Sequence, residues 1–247
     1  MTSLPERILV TGPAGSGKSY SAFKIAELFP DKCFYLMDTD SSAERLLSLE
    51  FPHLQNVTVY PAIDWPACQK FADEIKSKLK PGDWIIIDSI CSVWEFVQAY
   101  FVSEVFKEGI GEYFLSVRKT LSANSKRLDA LKGWTDWVTV NKLYQELAHK
   151  LFYAYTSAPY LANIYAVAKA TKLSKEDDQE MLDSYSLVGY KPEGEKRNAF
   201  RVHTLLLFTN SRNEYFCTTI KDRGRNKMER QKVTDFGLEY GMLAGWF

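Results

Sequence analysis

Three glycines, a lysine and two serines fall within ten residues, TGPAGSGKSY (11 to 20), directly after the apolar run ILV. Gly12, Gly17, Lys18 and Ser19 satisfy the spacing G-x-x-x-x-G-K-[ST]. Glycine lets a backbone curl around phosphate oxygens with its N–H groups turned inward. A helix starting where the loop ends offers the same anion its positive pole. Gly12, Pro13, Ala14, Gly15, Ser16, Gly17, Lys18, Ser19 and Tyr20 are therefore expected to cradle the phosphates of ATP. Lys18 would bridge the β- and γ-phosphates, and Ser19 would ligate Mg²⁺.

Such a loop needs an acidic partner for the metal. Asp88 closes the apolar run WIIID, where a carboxylate can reach the ion directly or through water. The competing role is a helix N-cap, common for aspartate at a strand-to-helix junction. Asp38 and Asp40 end a second apolar run, CFYLMDTD, at the carboxyl edge where open α/β sheets bind ligands. Asp40 can orient an attacking water there, or it can cap the helix that DSSAERLL begins.

The elements that would hold these residues follow from pattern. Residues 7 to 11 predict a buried strand, and 17 to 29 a helix stopped by Pro30. Strands are expected at 33 to 38, 57 to 60, 84 to 88 and 161 to 170. DWPACQKFADEIKSKL (64 to 79) has an aspartate N-cap, proline in the first turn and helical spacing. Continuous β-branched runs between helices predict a mainly parallel sheet covered on both faces. A helical insertion is expected at about 91 to 156, and a long mobile loop at about 171 to 199. FRVHTLLLF and EYFCTTI read as paired strands around TNSRN. One α/β domain over 1 to 247 accounts for the chain.

Composition narrows the class. Hydrophobic residues make up 46% and charged residues 25%, with 31 basic against 31 acidic side chains. That balance excludes a uniformly basic coat for nucleic acid but not local patches. Cys33, Cys68, Cys91 and Cys217 form no CxxC pair, and Cys33, Cys91 and Cys217 read as reduced core thiols. His53, His149 and His203 make no metal-ligand pattern. No apolar run approaches the ~20 residues of a membrane helix. The opening MTSLPERILV lacks a signal peptide's apolar core. Cytoplasmic residence, with no membrane partner, is the expectation.

The order of these motifs, a phosphate loop, a strand ending D-x-[acid] and a strand ending DS, resembles the RecA superfamily of ATPases. Short single-domain members are common in phages, as recombination ATPases that help anneal single strands. The resemblance implies a RecA-like fold, ATP and Mg²⁺ as cofactors, single-stranded DNA as a partner and a homo-oligomer, ring or filament. Asp40 takes the position of the family's catalytic glutamate, one methylene shorter. The family's γ-phosphate sensor at the end of a strand corresponds to Lys169 or Thr171. Family members often carry a K-x-R pair that reaches a neighbouring protomer's γ-phosphate, and Lys221 and Arg223 match that spacing.

Two basic stretches remain. From 221 to 232 six cations (Lys221, Arg223, Arg225, Lys227, Arg230, Lys232) face two acids, which fits either the finger or a solvated tail. Arg118, Lys119, Lys126, Arg127 and Lys132 precede Trp134 and Trp137, which fits base stacking along a strand or core packing. The loop at 171 to 199 corresponds to a DNA-touching region of RecA-like proteins; it holds Lys172, Lys175, Lys191, Lys196 and Arg197 but also EDDQE. The apolar tail GMLAGWF either packs internally or docks on a neighbour. Two other functions fit the same motifs: a nucleoside or nucleotide kinase with KDRGR as a lid in cis, and a nucleotide-gated assembly protein that rarely turns over.

Overall fold

The computed structural model describes residues 4–123, 137–224 and 228–246. Its centre is a sheet of β1 (Arg7–Gly12), β2 (Phe34–Asp38), β3 (Val57–Pro61), β4 (Trp84–Asp88), β5 (Asn163–Lys172), β6 (Tyr190–Pro192), β7 (Thr204–Ser211), β8 (Glu214–Asp222) and β9 (Gln231–Val233). The order is β3-β2-β4-β5-β1-β7-β8-β9, with β6 paired to the end of β5. The strands from β3 to β7 along that order run parallel, and β8 and β9 close the sheet antiparallel.

Parallel strands buried on both faces cannot alternate apolar with polar, which explains the continuous runs RILV, FYLMD and WIIID. Their side chains still alternate between two cores. Leu9, Met37, Ile85, Ile87 and Ala166 face one core, with α3 (Trp65–Lys76), α4 (Ile90–Phe106) and α6 (Trp137–His149). Ile8, Val10, Leu36, Ile86 and Val167 face the other, with α1 (Lys18–Leu28) and α9 (Phe236–Ala244). Asp64 caps α3 by accepting the Ala67 amide at 2.8 Å, as its sequence predicts.

The helical insertion consists of α4, α5 (Ile110–Ala123), α6 and a π-helical turn at Lys150–Ala154. Trp137 stacks on Trp94 at 5.9 Å, so this tryptophan packs within the insertion. Lys126, Arg127, Lys132, Trp134, Arg225 and Lys227 lie outside the described residues, as does the side chain of Arg118.

Two expectations need correction. The stretch from 171 to 199 is not an irregular loop: it contains α7 (Gln179–Tyr185), strand β6 and α8 (Asn198–Arg201). β6 forms because Ala170 and Lys172 overrun the parallel sheet and offer free edge positions to Pro192 and Tyr190. Cys33 is exposed rather than buried, because β2 starts one residue later at Phe34. The tail forms α9, whose apolar residues hide the helix in a sequence reading. Trp246 then packs on Phe29, Trp84 and Tyr240, with centroids 5.4, 5.6 and 5.4 Å apart.

α9 lies so close to α1 that a Cβ on Gly237 would come within 2.6 Å of the Lys24 carbonyl oxygen. Gly237→Ala is expected to lower stability by about 1–3 kcal/mol through overpacking. A drop in the urea midpoint, with nucleotide affinity of the folded fraction unchanged, is the outcome to look for. An unchanged midpoint would mean the two helices part without cost.

Candidate functional site

The phosphate loop leaves β1 at Gly12 and enters α1 at Lys18. Gly15 and Gly17 have φ of 70° and 88°, values that side-chain-bearing residues rarely adopt. At Gly12 the constraint is space: a Cβ would overlap the Phe208 carbonyl oxygen and crowd Ser16 Oγ. These glycines shape the turn that joins β1 to α1. Lys18 Nζ folds onto the loop, donating to the Gly12 and Pro13 carbonyls at 2.9 and 2.7 Å. Burial lowers the Lys18 pKa, and Asp88 opposes that shift.

Ser19 donates its hydroxyl to Asp88 Oδ2 at 2.5 Å, although 69 residues separate them. The strand order makes this contact. β1 and β4 flank β5, so the start of α1 and the end of β4 meet at one sheet edge. Burial pushes the Asp88 carboxyl up to about 6; the Ser19 hydroxyl and Lys18 hold it down, and Asp40 and Asp38 push it further up. A hydroxyl and a carboxylate are hard oxygen donors of the kind Mg²⁺ prefers. A buried carboxylate whose charge is costly is also one a cation would compensate. The residues therefore fit the ion, which when bound would neutralise phosphate charge. Among the described residues no group of three or more His, Cys, Asp or Glu side chains suits a metal held by protein alone.

Asp38 and Asp88 are register partners on β2 and β4. Asp38 is buried, and its carboxylate accepts the Ala43 and Asp40 amides at 3.0 and 3.3 Å. It thus caps α2 (Ala43–Glu50), the role the sequence suggested for Asp40. Asp40 is exposed, accepts the Ser42 amide at 3.1 Å and still faces Asp88 electrostatically. Lys169 is the register partner of Gly12, with its backbone amide on Cys91 Sγ at 3.2 Å and its side chain exposed. Thr171 donates to Glu193 Oε1 at 2.5 Å.

Several contributors carry no sequence signal. The β7–β8 hairpin tip, closed by Arg212 and Asn213 at positive φ, leans on the loop. There Asn210 Nδ2 donates to the Gly15 carbonyl at 3.3 Å. The Tyr215 ring lies 3.5 Å from where a Gly17 Cβ would stand. Beside the loop opens a cavity of about 630 Å³ walled by Tyr20, Phe208, Tyr215, Val233 and Thr234. It is large enough for a nucleoside and continuous with the phosphate turn.

Lys221 and Arg223 are elsewhere. Thr204 pairs with both Ile8 and Asp222, so Arg223 follows β8 at the level of Arg7. Gly12 is five residues further along β1, about 16 Å away at 3.3 Å per residue. The pair therefore stands at the sheet edge opposite its own phosphate loop. Arg223 is exposed. Lys221 is not: its Nζ donates to the Ala199 and Val202 carbonyls at 2.7 and 2.9 Å. Burial lowers its pKa, with Arg223 adding to the effect.

A sequence profile of the AAA domain matches residues 4–207. The chain belongs to the AAA domain family. No curated protein matches the sequence. Among solved structures, the crystal structure of the RadB recombinase aligns with a TM-score of 0.54 at 13% identity, covering 95% of this chain and 90% of that one. The AAA domain described here is thus a nucleotide-binding P-loop ATPase with a RecA-like fold. Among the described residues of this AAA domain, no helix is long and apolar enough to cross a membrane.

Proposed function

We propose that this protein is a Mg²⁺-dependent ATPase that acts on single-stranded DNA in recombination, annealing or replication, and that it works as an oligomer. The observation that carries the reading is the placement of Arg223. Phosphate loop, Ser19 and Asp88 converge at one sheet edge, and the basic pair stands at the other. An arginine that cannot reach its own nucleotide is well placed to reach a neighbour's, where it would stabilise charge developing on the transferring phosphoryl group. ATP is held by Gly12 to Tyr20, and Ser19 with Asp88 would hold the ion. Asp40, on the Asp88 side of the site, would orient the attacking water. Binding of ATP favours the assembled, DNA-gripping state, and hydrolysis releases it.

The 171 to 199 region supports the DNA partner. Asp177 and Asp178 of EDDQE pair with Lys191 and Lys196, so the acid run is partly neutralised from within. Lys172, Lys175 and Arg197 are exposed, as are Leu187 and Phe200, a mixture suited to backbone contact and base stacking.

A second reading, a nucleotide-gated assembly protein with little turnover, draws on Asp40, whose carboxylate already accepts the Ser42 amide. A kinase lid in cis would need the basic pair at the loop's own edge, and it is not there.

The test is ATP turnover with and without single-stranded DNA over a range of protein concentrations. Turnover should rise more steeply than concentration, and DNA should stimulate it. Phosphate transfer to a nucleoside would favour the kinase, and nucleotide-driven oligomers without phosphate release the assembly protein. Mixing Lys18→Ala with Arg223→Ala, each inactive alone, should restore activity, because one supplies the finger and the other the intact site.

A further inference from the structure

We infer that Lys221 acts inside its own subunit, as a positioning residue for that subunit's nucleotide edge, and that Arg223 alone is the finger offered to a neighbour. The inference rests on the ATPase reading above and divides the K-x-R pair between two sites.

Ladder pairing shifts at Lys221: Leu205 pairs with Lys221 but Leu206 with Thr219, leaving Ile220 as an extra residue. A bulge of this kind bends the strand and re-aims the side chain beside it. Here it delivers the ammonium to the end of α8, where it satisfies the Ala199 and Val202 carbonyls. A helix of four residues leaves its last carbonyls without partners of its own, so an external donor is what fastens it.

What Lys221 fastens is the connection from β6 to β7, residues 193 to 203. This connection crosses from one sheet edge to the other. At its upper end Glu193 donates its amide to the Lys169 carbonyl at 2.9 Å and accepts the Thr171 hydroxyl. Gly194, at φ 100°, lies against Cys91; a Cβ there would stand 3.4 Å from Cys91 Cα. The Cys91 thiol is 3.5 Å from the Ser89 hydroxyl, next to Asp88. In the middle the connection is pinned by a buried cluster: Arg201 to Glu195 at 2.5 Å, and Asn198 Oδ1 accepting from Arg201 and Tyr144 at 3.0 Å each. That buried, hydrogen-bonded cluster ties the two ends of the segment together. Its lower end is held by Lys221. Releasing the lower clasp therefore loosens Glu193, Lys169 and Thr171 at the same subunit's phosphate edge.

Mixing experiments separate the two roles with opposite signs. Lys221→Met keeps the aliphatic stem and removes the donor. With Arg223→Ala it should recover activity, since the Lys221→Met subunit still presents Arg223 to an intact neighbouring site. Random equimolar mixing makes about one heterologous interface in four competent, so about a quarter of wild-type turnover is the ceiling. With Lys18→Ala it should recover nothing, because both sites are then defective in cis. If Lys221 were a finger, the pattern would invert, and that inversion overturns the inference.

A readout independent of activity is amide hydrogen exchange in the nucleotide-free protein. Residues 193 to 203 should exchange faster in Lys221→Met and at the wild-type rate in Arg223→Ala. Lys221→Gln, which keeps an amide donor group, should fall between and covers the case in which Lys221→Met does not fold. Unchanged exchange in both Lys221 variants overturns the inference. Failure of the Lys18→Ala and Arg223→Ala mixture to recover, with exchange behaving as described, would instead count against the finger in the ATPase reading.

Discussion

Replacing Arg223 by alanine is expected to lower steady-state ATP turnover by about 10³-fold or more, the scale on which arginine fingers act. Nucleotide affinity of the isolated subunit should not change. Both halves follow from position. Arg223 lies at the level of Arg7, remote from Gly12 and the turn that holds the phosphates, so removing it takes no contact from a bound nucleotide. Its guanidinium is exposed, and it adds to the depressed pKa of its basic neighbours Arg7 and Lys221. Crowded cations at a surface gain when an anion arrives from outside, and a neighbour's transferring phosphoryl group is such an anion. Turnover by phosphate release and affinity by a fluorescent nucleotide check the two halves separately. A loss smaller than about tenfold would remove the finger from the mechanism.

Asp88→Asn should do two opposite things. It should abolish Mg²⁺-dependent turnover, and it should make the metal-free protein more stable at pH 7.5. The carboxyl is held at about 6 by burial, well above its ordinary value of 3.8. The folded state therefore binds the proton more tightly than the unfolded chain. Below pH ~4 both states are protonated and no cost arises; between ~4 and ~6 stability falls as pH rises, and above ~6 the full cost is present. At 1.36 kcal/mol per unit that cost is about 3 kcal/mol, and asparagine, which can still accept from Ser19, should recover about 1–3 kcal/mol of it. Urea midpoints in chelator at pH 4 and pH 7.5 measure this. The variant should gain at the higher pH and gain little at the lower. An asparagine variant less stable at pH 7.5 would mean that Asp88 is stabilised by partners in the charged form. A cation sharing the acid would offset that cost.

The phosphate cradle was legible from TGPAGSGKSY because its amides, ammonium and hydroxyl all come from one unbroken segment, and local conformation sets their geometry. Asp88 was legible for a related reason: a continuous apolar strand has one end at the ligand edge, and WIIID ends in an acid. Asp38 and Asp40 were harder. Two carboxylates two residues apart look equivalent in sequence, and only the fold turns Asp38 inward onto the Ala43 amide and leaves Asp40 in water. α9 escaped notice because FGLEYGMLA is apolar on nearly every side, which a helix buried against α1 tolerates.

The chain's own order of residues pointed to a phosphate-binding loop near the N-terminus, and the fold brings Ser19 of that loop onto an acid 69 residues away. Residue order could not say at which end of the sheet Lys221 and Arg223 lie. That follows from β8 reversing direction beside β7, a pairing between distant segments worth many small contacts and visible in no single stretch. Nor could spacing reveal that Lys221 is spent on the Ala199 and Val202 carbonyls, because one bulged residue in that ladder turned it there. Local chemistry writes the motif; long-range register decides at which end of the sheet each cation stands.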